Sequence, residues 1–320
     1  MKKKGKKIVI TVVVSLMVLI AILGIGMSLM VGKMVAEGLL YQNKGNDTKQ
    51  NSIKQLEVWG FDLEHFQEQY TGEELSLEAS DGVIVPVTYY ASTKQNASTV
   101  ILVHGAGGDR VSVAPLAKLY LEQGWNVMTF DQRGHGDNSS DKVSFGYFEA
   151  RDVECLVDYA KEELGAEKVV VHGQSMGGAT AALYATTEHA REYIDAVILD
   201  SPVDSMERMF CGVFSQMEGS EDIPTDYVVA CGDFYLKLFY GLSFADAETI
   251  DRMEENQVKT LVILSEQDDI CFPEIVEELY HNIAAEEKAL MRVDSEHIEG
   301  AIDDPDGYIE QVLAFIEGTE

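Results

Sequence analysis

Basic residues are scarce in this chain. Its 320 residues hold 24 Lys+Arg against 55 Asp+Glu, a formal net charge of -31. A nucleic-acid-binding surface needs a basic face to meet phosphates, and this balance excludes one. Cysteines are few as well. Cys155, Cys211, Cys231 and Cys271 form no C-x-x-C pair and no short Cys/His cluster of the kind that holds zinc, so no metal site is expected. A disulfide-dense scaffold is excluded, while one Cys211–Cys231 bridge and buried thiols stand as equal alternatives. Hydrophobic residues at 46 % beside 25 % charged exclude global disorder, and the length suits one large α/β domain with insertions or two average domains.

Charge is wholly absent from residues 8–32. As a helix rising about 1.5 Å per residue, this run exceeds the roughly 30 Å hydrocarbon core of a bilayer. It is also longer than the roughly 7–15 apolar residues of a cleaved signal peptide, so it reads as an uncleaved signal anchor. Five lysines precede it (Lys2, Lys3, Lys4, Lys6, Lys7) and three follow within twenty residues (Lys33, Lys44, Lys49). That asymmetry predicts a cytoplasmic N-terminus and an exterior remainder at the cell membrane. Taking those five from the 24 bases leaves 19 against 55 acids outside, about −36. The polar stretch 41–52 reads as a tether. The expected organisation is 1–32 basic segment and anchor, 33–69 tether and lead-in, and 70–320 folded domain.

Within 73–90 two strands flank Asp81-Gly82, a hairpin signal. Strands and helices then alternate: TVILVH (99–104), NVMTFD (126–131), KVVVHG (168–173), AVILD (196–200), KTLVILS (259–265) and ALMRV (289–293), with helical patterns near 113–123, 147–164, 176–188, from Pro273 and near 305–317. Short apolar strands separated by helices predict a mostly parallel sheet covered on both faces, with active groups beyond the strands' carboxyl ends.

Four segments at such ends carry chemistry. Gly173-Gln174-Ser175-Met176-Gly177 lies between an apolar strand and a helix, the setting in which G-x-S-x-G exposes a serine at a sharp turn beside a helix N-terminus. Ser175 is the expected nucleophile, and it needs a base. Of seven histidines, His297 lies in a loop after a strand, whereas His65, His189 and His281 sit elsewhere and His172 is expected to pack beneath the serine. Between Ser175 and His297 in chain order, Glu266-Gln267-Asp268-Asp269 follows a strand. Asp268 is the expected orienting acid, with Asp269 second and Asp200 third. His104-Gly105-Ala106-Gly107-Gly108 follows the first parallel strand, and the backbone N–H groups of Ala106 and Met176 are the expected oxyanion donors. His104 reads as a residue that fixes its loop.

With these segments in this order, residues 70–318 resemble the α/β-hydrolase superfamily and, within it, the monoacylglycerol-lipase and serine-aminopeptidase-like branch. The resemblance rests on His104–Gly107, Asp131-Gln132-Arg133-Gly134-His135-Gly136 with Ser139, Gly173–Gly178, Asp268 ahead of Pro273, and His297. It departs at Gln174, where the family often has His, at Ser265, where it usually has Gly, and at Cys271-Phe272-Pro273 in place of Val-Pro. It implies an α/β-hydrolase fold with Ser175, His297 and Asp268 as the triad. Arg133 and His135 become scaffold, and the insertion at about 203–256 becomes a lid.

That insertion holds 12 acids, three bases and eight Phe/Tyr residues. Phe234–Tyr240 is expected either to line an apolar acyl pocket or to pack lid helices on the sheet. The whole predicts a membrane-anchored serine hydrolase that needs no cofactor and cleaves an ester or related acyl bond of a small molecule. An aminopeptidase or amidase acting on a peptide-like substrate is the first alternative, and a non-catalytic binding protein on the same scaffold the second.

Overall fold

The computed structural model describes residues 2–93 and 98–319, with the side chains of residues 2–5 left out. The lysines Lys2, Lys3 and Lys4, counted in the predicted orientation, therefore fall outside the described side chains. The chain divides into two compact units. One comprises the N-terminal residues through Leu39 with Phe210–Ser243; the other comprises Leu40–Met209 and Phe244–Glu320.

The larger unit holds one eight-stranded sheet. Its strands are β1 (Glu73–Glu78), β2 (Ile84–Tyr90), β3 (Thr99–Val103), β4 (Asn126–Phe130), β5 (Val169–Gln174), β6 (Ala196–Asp200), β7 (Thr260–Ser265) and β8 (Lys288–Val293), in spatial order β1-β2-β4-β3-β5-β6-β7-β8. β1 and β2 form the antiparallel hairpin expected around Asp81-Gly82, and β2 pairs antiparallel with β4. Every later pairing is parallel. Residues of β3, β5, β6 and β7 are buried along the full length of each strand, which is why these segments read as continuous rather than alternating apolar runs.

Thirteen helices accompany the strands among the described residues. Before β1 come α1 (Lys2–Leu40), α2 (Thr48–Val58) and α3 (Leu63–Gln69). Between β3 and β6 lie α4 (Ala114–Glu122), α5 (Ala150–Glu162), α6 (Met176–Ala185) and α7 (Glu188–Tyr193). The insertion after β6 contains α8 (Met206–Ser215), α9 (Thr225–Tyr240) and α10 (Thr249–Arg252), and α11 (Pro273–Asn282), α12 (Gly300–Asp303) and α13 (Pro305–Glu317) complete the chain. Leu116, Tyr120, Ala301, Tyr308 and Val312 from α4, α12 and α13 join Val100, Leu102, Val170, Ile198 and Ile263 of the strands in one core. In α5, Val153, Leu156, Val157 and Ala160 recur at helical spacing and are buried.

Two registers set up the site. Val103 of β3 lies level with Gly173 of β5, and Ser265 of β7 lies level with Val293 of β8. The loops after these four strands therefore leave the sheet at the same edge.

Two expectations are corrected. The first helix continues past residue 32 to Leu40, and 35 of its residues, Lys6–Leu40, are long and apolar enough to cross a membrane. Residues 41–52 are not a loose tether. Asp47 caps α2 by accepting the N–H of Gln50, and Thr48, Ser52 and Leu56 form a buried stripe at i, i+4, i+8. Of the insertion, 203–209 and 244–256 fall in the sheet unit and Phe210–Ser243 in the smaller unit. In that smaller unit α9 lies against α1: a Cβ on Gly32 would run into the carbonyl of Cys231, and Ser28 Oγ lies 2.9 Å from Tyr227 Oη. No disulfide joins Cys211 to Cys231.

Candidate active site

β5 passes into α6 through Ser175, whose backbone takes φ 55° and ψ −119°. A non-glycine residue held there is strained, and the surroundings enforce it. Ser175 N–H donates to Asp200 O at 2.9 Å, and Ser175 O accepts from Val203 N–H at 3.1 Å. The turn closes only because Gly177 lacks a side chain; a Cβ there would overlap the carbonyl oxygen of Val103. The loop after β3 approaches equally closely. A Cβ on Gly105 would sit 3.3 Å from Ser175 Cβ and 3.8 Å from its Oγ.

That loop is held by neutral histidines. Gln132 N–H donates to His104 Nε2 at 3.0 Å, so Nδ1 carries the proton and donates to Gly105 O at 2.7 Å. Gly107 N–H donates to His135 Nε2 at 3.0 Å, while His135 Nδ1 donates to Arg133 O at 2.9 Å. Burial, with His104 beside it, pulls the His135 pKa down to about 3, which keeps this acceptor uncharged. Arg133 in turn spans Asp81 (2.8 and 2.9 Å) and Asp152 (2.7 Å), and Ser139 Oγ accepts the N–H of Ile84 at 2.8 Å. The N–H groups of Ala106 and of Met176, the first residue of α6, meet no acceptor among the described residues. Both backbone donors thus stand unused.

Beyond β7, Asp268 is buried. Its Oδ1 accepts the N–H groups of Ile270 (2.9 Å) and Cys271 (2.8 Å), and its Oδ2 lies 2.7 Å from His297 Nδ1. Burial pushes this carboxyl up, but the His297 hydrogen bond and charge, with the two backbone donors, outweigh it and hold Asp268 below its ordinary pKa. It is therefore an acceptor, and His297 carries its proton on Nδ1, leaving Nε2 as the basic nitrogen. Among the described residues neither Ser175 Oγ nor His297 Nε2 makes a hydrogen bond, so both are open to a reacting group. Ile298 follows the histidine at φ 56°, a second strained point at the same edge.

The other acids take different places. Asp269 is exposed and lines the cavity described below. Asp200 is buried under the serine turn, accepting Gln174 Nε2 at 2.9 Å and the Tyr308 hydroxyl at 2.8 Å. Burial raises its pKa. Tyr308 and Tyr120 also bracket His172, at 3.2 and 3.0 Å, as expected of a packed histidine.

Asp268, Cys271 and His297 come close enough to share a metal ion. The donor set argues otherwise. Burial, and Asp268 next to it, push the Cys271 thiol well up and keep it protonated, and the remaining Asp268 oxygen is engaged by backbone N–H groups.

A cavity of about 420 Å³ opens at this edge. Gly105–Gly108, Gln174, His297 and Glu299 line it, and so do Asn51, Ser52, Gln55 and Trp59 of α2 and its C-cap. These last four were invisible to a reading of composition, which placed Asn51 and Ser52 in a tether and Gln55 and Trp59 in a lead-in segment. The signal that marks them is the Asp47 cap followed by a buried stripe at helical spacing.

Known proteins agree with this architecture. Residues 98–218 match the family model described as the alpha/beta hydrolase fold. The uncharacterized protein YqkD of Bacillus subtilis is 24 % identical over 230 residues, 72 % of this chain and 74 % of that protein. A proline iminopeptidase of Saccharolobus solfataricus is 30 % identical over 125 residues, 39 % of each chain. Among solved structures, the esterase Pf2001 of Pyrococcus furiosus superposes with a TM-score of 0.62 at 19 % identity, covering 81 % of this chain and 96 % of that one. The chain carries the α/β-hydrolase fold.

Proposed function

We propose that the protein is a serine hydrolase acting on carboxylic esters or related acyl bonds. The observation that carries this reading is the Asp268–His297 hydrogen bond at the same sheet edge as the strained Ser175 turn. Ser175 Oγ attacks the acyl carbonyl carbon while His297 Nε2 takes the hydroxyl proton, and Asp268 stabilises the imidazolium that forms. The N–H groups of Ala106 and Met176 receive the tetrahedral oxyanion. Collapse expels the alcohol, or the amine, with the proton returned from His297, leaving an acyl-serine. Water, deprotonated by the same imidazole, then releases the carboxylic acid. The residues of α1 give the chain a membrane anchor, with the N-terminus cytoplasmic and the sheet unit outside.

A fluorophosphonate probe tests the nucleophile directly. It is expected to label the wild type at Ser175 and to leave Ser175→Ala unlabelled, with hydrolysis down by about 10³-fold or more in that variant. Activity within tenfold of wild type would sink the assignment, and a wild type that takes no label would favour a binding protein on the same scaffold. A peptidase reading is favoured by the iminopeptidase relative, and parallel assays with p-nitrophenyl esters and aminoacyl anilides separate the two.

A further inference from the structure

α2 and its C-cap reach both loops that flank the reacting centre. Asn51 Nδ2 donates to Gly107 O at 3.1 Å, and Ser52 Oγ accepts the N–H of Asp109 at 2.9 Å. Both acceptor and donor belong to the loop that presents Ala106. Two turns further on, Trp59 Nε1 donates to Glu299 Oε1 at 2.8 Å, in the loop that presents His297. Residues 51, 55 and 59 fall on one side of a helix, and eight residues span about 12 Å. Gln55 stands between the two attachments and lines the cavity, and its amide makes no hydrogen bond among the described residues. The segment is tied down elsewhere too. Thr48 Oγ1 accepts Gly136 N–H at 2.9 Å, Asn43 Nδ2 lies 2.8 Å from His135 Nε2, and Lys49 pairs with Asp137 at 2.6 Å.

We propose that α2 is a working part of the active site: Asn51 and Ser52 are positioning residues for the oxyanion loop, Trp59 spaces the His297 loop from it, and Gln55 binds the substrate. The cavity wall also fits a substrate class. Besides His297 its ionisable residues are Asp269, Glu296 and Glu299, with no Lys or Arg, and its remaining polar side chains include the amides of Asn51, Gln55 and Gln174. Such a wall accepts a short acyl or leaving group carrying a hydrogen-bond donor, an ammonium above all, and repels a carboxylate. The proposal rests on Ser175 and His297 being the reacting pair.

The test uses the full chain in detergent and p-nitrophenyl esters of one chain length, ending in a methyl, an amino or a carboxylate group. Asn51→Ala and Ser52→Ala are expected to lower kcat about tenfold with KM little changed, and to slow fluorophosphonate labelling alike, because the oxyanion donors lose their aim. Ser52→Thr, which keeps the hydroxyl, is expected to restore kcat. Gln55→Ala should instead raise KM for the amino-terminated ester fivefold or more, and more than for the methyl-terminated one. Thermal melting checks that each variant is folded. Wild-type kcat and labelling rates in both folded Asn51→Ala and Ser52→Ala overturn the positioning role. A Gln55→Ala KM that moves equally for the two esters, or not at all, overturns the substrate contact. The underlying reading fails separately, and takes this one with it, if Ser175→Ala still turns over.

Discussion

Asp268 Oδ2 and His297 Nδ1 lie 2.7 Å apart although 29 positions separate them in the chain. β7 and β8 make this meeting possible, because their parallel register brings Ser265 level with Val293 and releases both loops together. The carboxylate does more than hold the ring. It is itself held by Ile270 and Cys271 N–H groups, so the ring has a fixed partner and a fixed tautomer.

Exchanging Asp268 for asparagine therefore separates charge from shape. Asp268→Asn keeps the volume but loses the anion, and the amide no longer selects the tautomer with Nε2 free. A fall in kcat of about 10²–10⁴ is expected. Steady-state kinetics with one activated ester checks this, and a loss of less than threefold would remove Asp268 from the reacting unit.

Gly177 makes a claim about stability rather than chemistry. Gly177→Ala would place a methyl group onto the backbone oxygen of Val103, and neither β3 nor α6 has room to give. A loss of about 2–4 kcal/mol is expected. Urea unfolding of the wild type and the variant measures it, and a shift below about 0.5 kcal/mol would show that the turn relaxes freely.

The parallel sheet was legible because its inner strands are covered on both faces, and unbroken runs such as AVILD and TLVILS leave no other reading. Ser175 and His297 stood out because each closes or follows such a run. α2 was hidden for a physical reason. Its buried stripe is Thr48, Ser52 and Leu56, and two of these three bury hydroxyls, which serve the backbone N–H groups of Gly136 and Asp109 in place of apolar contacts. Hydrophobic periodicity cannot register a helix that docks by hydrogen bonds. Likewise, charge and aromatic counts in 203–256 carry no trace of which part follows the sheet and which part lies against α1.

The anchor reading predicts a change of compartment on truncation. A chain begun at Lys33 loses the uncharged run 8–32 and keeps α2 whole. It is expected in the soluble fraction after carbonate extraction, whereas the full chain stays with the membrane pellet. Full-length protein extracted by carbonate would overturn the anchor, and so would a truncated form that remains in the pellet.

His135 gives stability a pH dependence whose sign can be worked out. In the unfolded chain it titrates near 6.5; in the folded protein burial and His104 hold it down to about 3. Between these values the unfolded state binds one proton more, so unfolding becomes easier as pH falls through this window. The contribution is fully present above about 6.5 and declines by about 1.4 kcal/mol per pH unit below it. His135→Gln removes the titration while keeping an acceptor for Gly107 N–H. Denaturant titrations of both proteins at pH 6, 5 and 4 are expected to show the variant's stability falling less steeply with acid, by about that amount per unit. Parallel slopes would mean that His135 is not held neutral, and its role as the acceptor that fixes the Gly107 N–H would fall with it.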